Sequence, residues 1–225
     1  MSAMPRPDRV VVVVGTATEV GKTFVGAALL HRLRASGMRV AARKPAQSFA
    51  AGDLRTDADV LAAATDDDPT AVCPRHRWYE TPMAPPMAAE ALQRPSFTVG
   101  DLVAELQWPD VVDVGLVETA GGVRSPIAGD GDCASLALAL APDLVMLVAD
   151  AGLGTINAVR LSADALGRLR LVVLLNRFDL ADELHERNRG WLAGRDGYDV
   201  VTTVDALMER VRSIGPRVDQ QGPPA

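Results

Sequence analysis

The sequence predicts an α/β fold with a mostly parallel sheet flanked by helices, formed by a single domain. The chain has 225 residues, of which 48% are hydrophobic, a length and composition that suit one filled aliphatic core. Its first apolar run, Val10–Val14, is β-branched and does not alternate with polar residues. Such a run is typical of a strand covered on both faces. Strand-like and helix-like segments then alternate along the chain, as in βαβ units.

The elements are predicted in order from hydrophobic periodicity and from the residues at which each pattern stops. The helix after the first strand, for example, ends before Gly37. The predicted strands are Val10–Val14, Val40–Arg43, Val114–Glu118, Leu144–Ala149, Leu171–Leu175 and Val200–Thr203. The predicted helices are Lys22–Ala35, Thr56–Thr65, Met87–Leu92, Thr98–Leu106, Ala134–Leu140, Thr155–Leu166, Ala181–Leu192 and Ala206–Val211. Asp66–Pro86 is rich in Asp and Pro and is predicted as loop. The tail Gly215–Ala225 is predicted to be disordered.

Composition excludes several classes of protein. The formal net charge of −6 argues against general binding of nucleic acid, which usually requires a basic surplus. The apolar run near the start is too short for a signal peptide or a membrane span, so no membrane association is expected. Cys73 and Cys133 form neither a disulfide framework nor a metal-binding pair, which favours reduced thiols in a cytoplasmic protein. The three histidines, His31, His76 and His185, have no metal-ligand spacing.

The most informative motif is Gly15–Thr23, with the sequence GTATEVGKT, between the first predicted strand and the first predicted helix. Glycine lets a backbone approach phosphate oxygens, and the N–H groups at a helix start point at anions. Lys22 can reach the β- and γ-phosphates, and the Thr23 hydroxyl can ligate magnesium. Compared with the usual spacing, the first glycine stands one residue early, because Thr16 occupies its position. The motif predicts that this loop binds a nucleoside triphosphate with Mg²⁺.

Two charged residues near other strand ends each allow two interpretations. Lys44 follows the second predicted strand and would project at the same edge as the phosphate loop. Taken alone, Lys44 is more simply interpreted as a solvated surface lysine. Asp57 follows Thr56 at a predicted helix start. An acid there fits equally well a residue that favours the helix N-terminus and a magnesium ligand.

Three later segments also lie where ligands of such a sheet bind. Glu118 ends a buried strand, where P-loop proteins place a second magnesium ligand, and the following Gly121-Gly122 permits close backbone approach. Gly154–Asn157 opens a helix whose N-terminus either holds an anion or is simply capped by Thr155. Asn176 either reads a base edge through its amide or is an ordinary turn residue.

Taken together, these motifs resemble the dethiobiotin synthetases, a family of the P-loop NTPase superfamily. The likeness runs from the first strand to about Asn176, and Gly15–Thr23 resembles the family's long phosphate loop, which carries the same extra residue. The other matching motifs are Lys44-Pro45 with Ser48 just after it, Thr56-Asp57-Ala58, Pro82–Pro85, Glu118–Gly122, Gly154–Asn157 and the base-reading Asn176. The combination is more specific than any single motif.

The resemblance implies a P-loop NTPase fold and a ring-closing ligase. The substrates of the family are 7,8-diaminononanoate, CO₂ and ATP, and Mg²⁺ accompanies the nucleotide. Carbon dioxide adds to one amine to give a carbamate, which the γ-phosphate of ATP activates as a mixed anhydride. The second amine then closes the ureido ring. The family also implies a homodimer whose active site lies at the subunit interface.

The resemblance further implies a role for each matching residue. The implied catalytic residues are Lys22, Lys44 and Ser48, and the implied magnesium ligands are Thr23, Asp57 and Glu118. The implied nucleotide-binding residues are Thr18, Glu19, Val20, Gly21, Lys22, Thr23, Glu118 and Asn176. Thr18, Lys44 and Ser48 would contact the diamine and carbamate. The substrate carboxylate would be bound by Gly154, Thr155, Ile156 and Asn157 of the neighbouring subunit.

Four positions depart from the family pattern: Ala17 replaces a polar residue, Phe49 a Gly, Thr119 a Gly and Ala158 a His. Thr119 and Phe49 are expected on the substrate side. A β-branched residue cannot adopt a positive φ cheaply, so the backbone of Thr119 must be either ordinary or strained.

These departures keep two alternatives open. The first is a paralogous P-loop ligase that acts on another amine or carboxylate. The second is a regulatory ATPase of the ParA/MinD kind. Such switches carry a second lysine inside the phosphate loop, where this chain has Ala17 and Thr18, and the C-terminal part of the chain shows no basic amphipathic helix.

Overall fold

The computed structural model describes residues 6–215. The strands are β1 (Arg9–Gly15), β2 (Val40–Arg43), β3 (Gln47–Ser48), β4 (Trp78–Tyr79), β5 (Val114–Glu118), β6 (Pro126–Ala128), β7 (Gly131–Asp132), β8 (Leu144–Asp150), β9 (Leu171–Asn176) and β10 (Asp199–Val201). The helices are α1 (Lys22–Ala35), α2 (Asp57–Thr65), α3 (Pro69–Val72), α4 (Pro85–Ala91), α5 (Val99–Ala104), α6 (Cys133–Leu140), α7 (Thr155–Leu166), α8 (Glu183–Gly194) and α9 (Val204–Arg212). A 3₁₀ turn spans Arg75–Arg77.

The central sheet contains six strands in the order β10-β9-β8-β1-β5-β2, and every pair of neighbours is parallel. The side chains of Val10–Val14 in β1 are at most 3% exposed. The even-numbered valines of this run pack into one core, and the odd-numbered valines pack into the core on the opposite face. The unalternating run is therefore explained by burial on both faces. The predicted α/β fold with a parallel sheet flanked by helices is confirmed.

Helices cover both faces of this sheet. Residues of α1, α2 and α9 contribute to the core on one face, while residues of α4, α6, α7 and α8 contribute to the other. Within residues 6–215, no helix combines the length and apolarity needed to cross a membrane. The tail that was predicted to be disordered, 215–225, lies outside the described residues apart from Gly215.

The prediction that Asp66–Pro86 is loop was wrong. The segment contains α3, the 3₁₀ turn, β4 and the first residues of α4. β4 has two residues and exists because it pairs with β3, with Gln47 opposite Trp78. Such short elements are stabilised by tertiary pairing and are too short for a periodic pattern. The antiparallel pair of β6 and β7 was missed for the same reason.

The carboxyl ends of β1, β2, β5, β8 and β9 lie along one edge of the sheet, because all five strands are parallel. The phosphate loop follows β1 at the centre of this edge. The side chains that follow the neighbouring strands therefore surround it, as expected for ligand binding in an open α/β sheet.

Candidate active site

The phosphate loop joins β1 to α1 through two residues in the left-handed region, Glu19 with φ 61° and Gly21 with φ 96°. A Cβ on Gly21 would come within 2.1 Å of Asn176 Nδ2, so this position requires glycine for space as well as for conformation. The ammonium of Lys22 donates to the carbonyl of Ala17 over 3.1 Å and thus folds back over the loop. Burial and the neighbouring charge of another lysine lower the pKa of Lys22.

Four side chains from the loop and from three other segments meet next to Lys22. The hydroxyl oxygen of Thr23 lies 2.9 Å from Asp57 Oδ1 and 2.8 Å from Glu118 Oε1. The ammonium nitrogen of Lys44 lies 2.7 Å from Asp57 Oδ2 and 2.7 Å from Glu118 Oε1. The structure thus brings Thr23, Lys44, Asp57 and Glu118 into one cluster. The interpretation of Lys44 as a surface lysine is wrong, because its side chain is 2% exposed.

Burial and charge act against each other in this cluster. Burial disfavours the ammonium of Lys44, but the carboxylates of Glu118 and Asp57 outweigh it and raise the pKa of Lys44. Lys44 is therefore protonated at neutral pH. The adjacent Lys44 charge lowers the pKa of Asp57, so Asp57 is ionised. Glu118 is fully buried, and an ion pair with Lys44 compensates for part of the cost of burying it.

The oxygen atoms of this cluster fit a magnesium ion. Thr23, Asp57 and Glu118 supply a hydroxyl and two carboxylates, the hard ligands that Mg²⁺ prefers. The second carboxylate oxygen of Glu118 is buried and has no hydrogen-bond partner, and such an atom fits a ligand to a cation or to a cation-bound water. Among the described residues, no group of three or more His, Cys, Asp or Glu side chains is arranged to hold a metal. Phosphate oxygens and water would complete the coordination, as is usual for nucleotide-bound magnesium.

Gln47 positions Asp57 and was not singled out from the sequence. Its side-chain carbonyl accepts a hydrogen bond from Ala58 N over 3.0 Å, and its amide donates to Thr56 Oγ1 over 3.3 Å. Thr56 caps α2 in a capping box with Asp59. The helix-start interpretation of this segment is therefore correct, but it does not compete with a ligand role, because the cap orients the first turn that carries Asp57. The sequence carried no signal for this role, because it depends on the burial of Gln47 and on its tertiary contacts.

Thr23, Lys44 and Asp57 of this cluster line a cavity of about 630 Å³, which we call the central cavity. Glu118 contacts Thr23 and Lys44 but is itself fully buried. Thr18, Glu19 and Gly21 of the phosphate loop also line this cavity. Ser48 and Phe49 line it as well, and the hydroxyl of Ser48 donates to the carbonyl of Met83. The ring of Phe49 packs edge-on against Trp78 with centroids 6.0 Å apart. Phe49 therefore reaches the cavity, as expected from the sequence.

Thr119, in contrast, does not line the central cavity. The side chain is fully buried, and its hydroxyl donates to the carbonyl of Val13 in β1 over 3.1 Å. Its φ is not positive. The expectation that Thr119 lies on the substrate side was wrong, and its backbone is in an ordinary region. A branched residue is accommodated because the side chain points into the sheet and pairs with the strand.

The remaining sequence-predicted residues do not line the central cavity. The side-chain amide of Asn176 donates to the carbonyl of Val20 over 2.9 Å, which leaves its other amide hydrogen and its oxygen for a further partner. Gly154 precedes α7 with φ 91°. Asn157 and Ala158 line a separate cavity of about 700 Å³ beside Thr16 and Thr18. Within one chain, Gly154–Asn157 is therefore not brought to the cavity that contains Lys44 and Ser48.

Comparisons with known proteins agree with this geometry. A family model described as an AAA domain matches residues 9–209. An ATP-dependent dethiobiotin synthetase of Anaeromyxobacter sp. strain K is 34% identical over 222 residues, covering 90% of this chain and 94% of that protein. A protein of the same description from Anaeromyxobacter sp. strain Fw109-5 is 40% identical over 172 residues, covering 73% of this chain and 75% of that protein.

A solved structure supports the fold alone. A plasmid partition protein from Borrelia burgdorferi, described as putative and bound to AMPPNP, superposes with a TM-score of 0.54 at 11% identity. The superposition covers 97% of this chain and 93% of that protein. The likeness supports the α/β fold with a parallel sheet flanked by helices.

Proposed function

Because the chain belongs to the dethiobiotin synthetase family of P-loop NTPases, we propose that it is an ATP-dependent ring-closing ligase of biotin biosynthesis. In this proposal it converts 7,8-diaminononanoate, carbon dioxide and ATP into dethiobiotin, ADP and phosphate. The observation that carries the proposal is the convergence of Thr23, Lys44 and Asp57 beside Lys22 in one cavity, with the buried carboxylate of Glu118 against Thr23 and Lys44. These are the groups that phosphoryl transfer to a carbamate requires.

The reaction proceeds in three steps. One amine of the substrate adds to carbon dioxide and loses a proton, which gives a carbamate. A carbamate oxygen attacks the γ-phosphorus of ATP, the bond to the β–γ bridging oxygen breaks, and ADP leaves. The second amine attacks the carbonyl carbon of the resulting carbamic-phosphoric anhydride and loses a proton, and phosphate leaves as the ureido ring closes.

The cations of the cavity serve the second step. Lys22 sits at the start of α1, where a lysine can reach the β- and γ-phosphates. Lys44 lies deeper in the cavity and is held protonated by two carboxylates, so it can neutralise charge on the carbamate and on the transferred phosphoryl group. Magnesium, held by Thr23, Asp57 and Glu118, would add positive charge at the phosphates. Preorganised charge of this kind costs little reorganisation during the reaction.

The polar wall of the cavity would position the diamine. Ser48 and Thr18 line the central cavity and carry hydroxyls that can bind the amine and the carbamate. The phosphate loop residues Thr18 to Gly21 would cradle the phosphates. Asn176 would contact the base with its side-chain oxygen and with the amide hydrogen that is not bonded to Val20.

The carboxylate of the substrate would be bound by Gly154–Asn157 at the start of α7 in a second copy of the chain. This assignment is supported by the position of Gly154–Asn157 away from the central cavity of its own chain. It is also supported by two exposed leucines, Leu153 just before α7 and Leu161 within it, which are 92% and 62% exposed. Apolar residues at such a position favour a protein interface. The protein is thus a homodimer in this proposal, and its free thiols, Cys73 and Cys133, favour a cytoplasmic location.

The proposal is tested by incubating the protein with ATP, Mg²⁺, ¹³C-bicarbonate and 7,8-diaminononanoate. Mass spectrometry should detect dethiobiotin that carries the ¹³C label, with ADP and phosphate in equal amounts. The Lys44→Met variant is the matched control for contaminating enzyme. Absence of labelled product at high enzyme concentration would contradict the proposal.

A second candidate function is a paralogous ligase that acts on a different amine or carboxylate. Phe49 favours it, because this large ring lines the central cavity where the family has a glycine, and it reduces the space beside Ser48. ATP turnover with other amines, but none with 7,8-diaminononanoate, would favour this candidate.

A further inference from the structure

Arg177 links the end of β9 to the phosphate loop. One guanidinium nitrogen donates to the backbone carbonyl of Glu19 over 2.8 Å, and the other terminal nitrogen donates to Asp150 Oδ2 over 2.9 Å. The preceding residue, Asn176, donates to the next carbonyl of the loop, that of Val20. Two consecutive residues of β9 and its following turn therefore hold two consecutive carbonyls of the phosphate loop.

These contacts fix the loop in the conformation that binds anions. An anion-binding nest forms when successive residues alternate between right-handed and left-handed conformations, so that their N–H groups converge on the ligand. Glu19 adopts φ 61°, which is uncommon for a residue with a side chain and is unfavourable unless other contacts hold it. The N–H groups can converge only while the carbonyls of Glu19 and Val20 point away from the ligand. Arg177 and Asn176 donate to these two carbonyls and so hold both of them on the side away from the ligand.

Asp150 holds Arg177 in place. Asp150 ends β8 opposite Asn176 in β9, and its other carboxylate oxygen accepts a hydrogen bond from Gly152 N over 3.0 Å. That backbone hydrogen bond, together with the Arg177 pair, lowers the pKa of Asp150, so the carboxylate stays ionised. The forked guanidinium then bridges a fixed anion and the loop carbonyl, a geometry that a lysine cannot reproduce with one ammonium group.

We propose that Arg177, anchored by Asp150, is a positioning residue that holds the phosphate loop in its nucleotide-binding conformation. This role deepens the proposed function and rests on one part of it, which is that this loop binds nucleotide. Its test measures binding directly, so it remains distinguishable from a failure to produce dethiobiotin.

The test is titration calorimetry with Mg²⁺ and AMPPNP on the full chain. Arg177→Ala should raise the Kd about tenfold, as for loss of one charge-assisted hydrogen bond. Arg177→Lys should raise it by an intermediate factor. The control is Arg210→Ala, which removes an exposed arginine that pairs with Asp199. Asp199 starts β10, at the end of the sheet opposite the phosphate loop, so this variant should leave the Kd within twofold. A rise below threefold for Arg177→Ala, or an equal rise for the control, overturns the proposal.

The variant Asp150→Asn tests the same role if Arg177→Ala does not fold, and the double variant of Asp150→Asn with Arg177→Ala tests whether Asp150 acts through Arg177. Asp150→Asn retains an acceptor for Gly152 but loses the charge that anchors Arg177, and it should also raise the Kd at least threefold. Because Asp150 acts through Arg177, the double variant should bind no more weakly than Arg177→Ala. A further threefold loss in the double variant would show that Asp150 acts independently and would overturn the anchoring role.

Discussion

The ammonium nitrogen of Lys44 lies 2.7 Å from Oε1 of Glu118, and both side chains are withdrawn from solvent. A buried ion pair of this kind contributes little net stability, but losing one partner leaves the other charge uncompensated. The pair therefore fixes the position of a cation beside the phosphate loop, while the carboxylate keeps a second oxygen without a hydrogen-bond partner.

Lys44→Met should abolish most turnover while leaving nucleotide binding nearly intact, because Lys22 and the loop backbone still bind the phosphates. We expect the rate of ADP formation to fall at least about a hundredfold, as for loss of a preorganised cation. The free energy of unfolding should fall by about 3 kcal/mol, since Glu118 loses its partner. Steady-state kinetics, AMPPNP titration and urea unfolding measure the three quantities.

The control for the stability effect is the double variant Lys44→Met with Glu118→Gln. Removing both charges should restore part of the unfolding free energy, because no uncompensated charge remains buried. It should not restore turnover. Full activity of Lys44→Met would contradict the role of Lys44, and an unchanged unfolding free energy would contradict the ion pair.

Lys22→Ala should instead remove nucleotide binding. Among residues 6–215, the ammonium of Lys22 donates to a carbonyl of its own loop and forms no ion pair, so the fold should persist without it. We expect the Kd for AMPPNP to rise about a hundredfold or more, as for loss of a desolvated charge contact. Calorimetry measures the affinity, and circular dichroism checks the fold. A Kd within threefold of the parent protein would show that the lysine does not contact the phosphates.

The central sheet, and the edge of it that carries the candidate site, could be predicted because strands buried on both faces are continuous apolar runs in the sequence. Val10–Val14 and the later apolar runs have the pattern of buried strands, and their alternation with helices predicts that the strands are parallel. The loops that follow parallel strands lie at the same edge of the sheet. The phosphate loop could be found because its chemistry depends on local spacing. Lys44 shows the limit of such reasoning. By itself it has the sequence pattern of a surface lysine, and its burial depends on Asp57 and Glu118 from distant segments.

Thr119 and Gln47 illustrate what sequence patterns leave undetermined. The direction of a side chain after a strand depends on which neighbouring strand its backbone pairs with, and Thr119 turns into the sheet because its N–H and hydroxyl both donate to Val13 in β1. Gln47 orients the start of α2 through the N–H of Ala58, eleven residues later. Both contacts are tertiary, so neither residue type nor periodicity indicated them.

The two cysteines should resist alkylation in the native protein. Burial raises the pKa of the Cys73 thiol to about 12 and that of Cys133 to about 11. The reactive thiolate forms only as the pH rises through the pKa, so at pH 8 well under about 1% is present. Iodoacetamide at pH 8 should therefore label neither residue until the protein is unfolded in urea, when both should react. Rapid labelling of native Cys133, detected by peptide mass spectrometry, would contradict its burial beside the carbonyl of Ala120.

Gly21→Ala and Gly190→Ala should change stability in opposite directions. At Gly21 the φ of 96° is unfavourable for alanine, and the new Cβ would lie 2.1 Å from Asn176 Nδ2. We expect the free energy of unfolding to fall by about 1–3 kcal/mol and the affinity for AMPPNP to fall with it. Gly190 lies in the exposed middle of α8 with nothing within 4 Å of an added Cβ, so alanine should stabilise the helix by up to about 1 kcal/mol.

Urea unfolding measures the change in stability of both variants. The stability lost on Gly21→Ala is then measured again in an Asn176→Gly background, which separates the collision with Asn176 from the backbone strain at Gly21. Removing the Asn176 side chain relieves the collision but not the backbone strain, so it should recover only part of the lost stability. Complete recovery would mean that the collision alone disfavours alanine. If Gly21→Ala were as stable as the parent protein and bound AMPPNP equally well, the left-handed turn at Gly21 could not be required for phosphate binding.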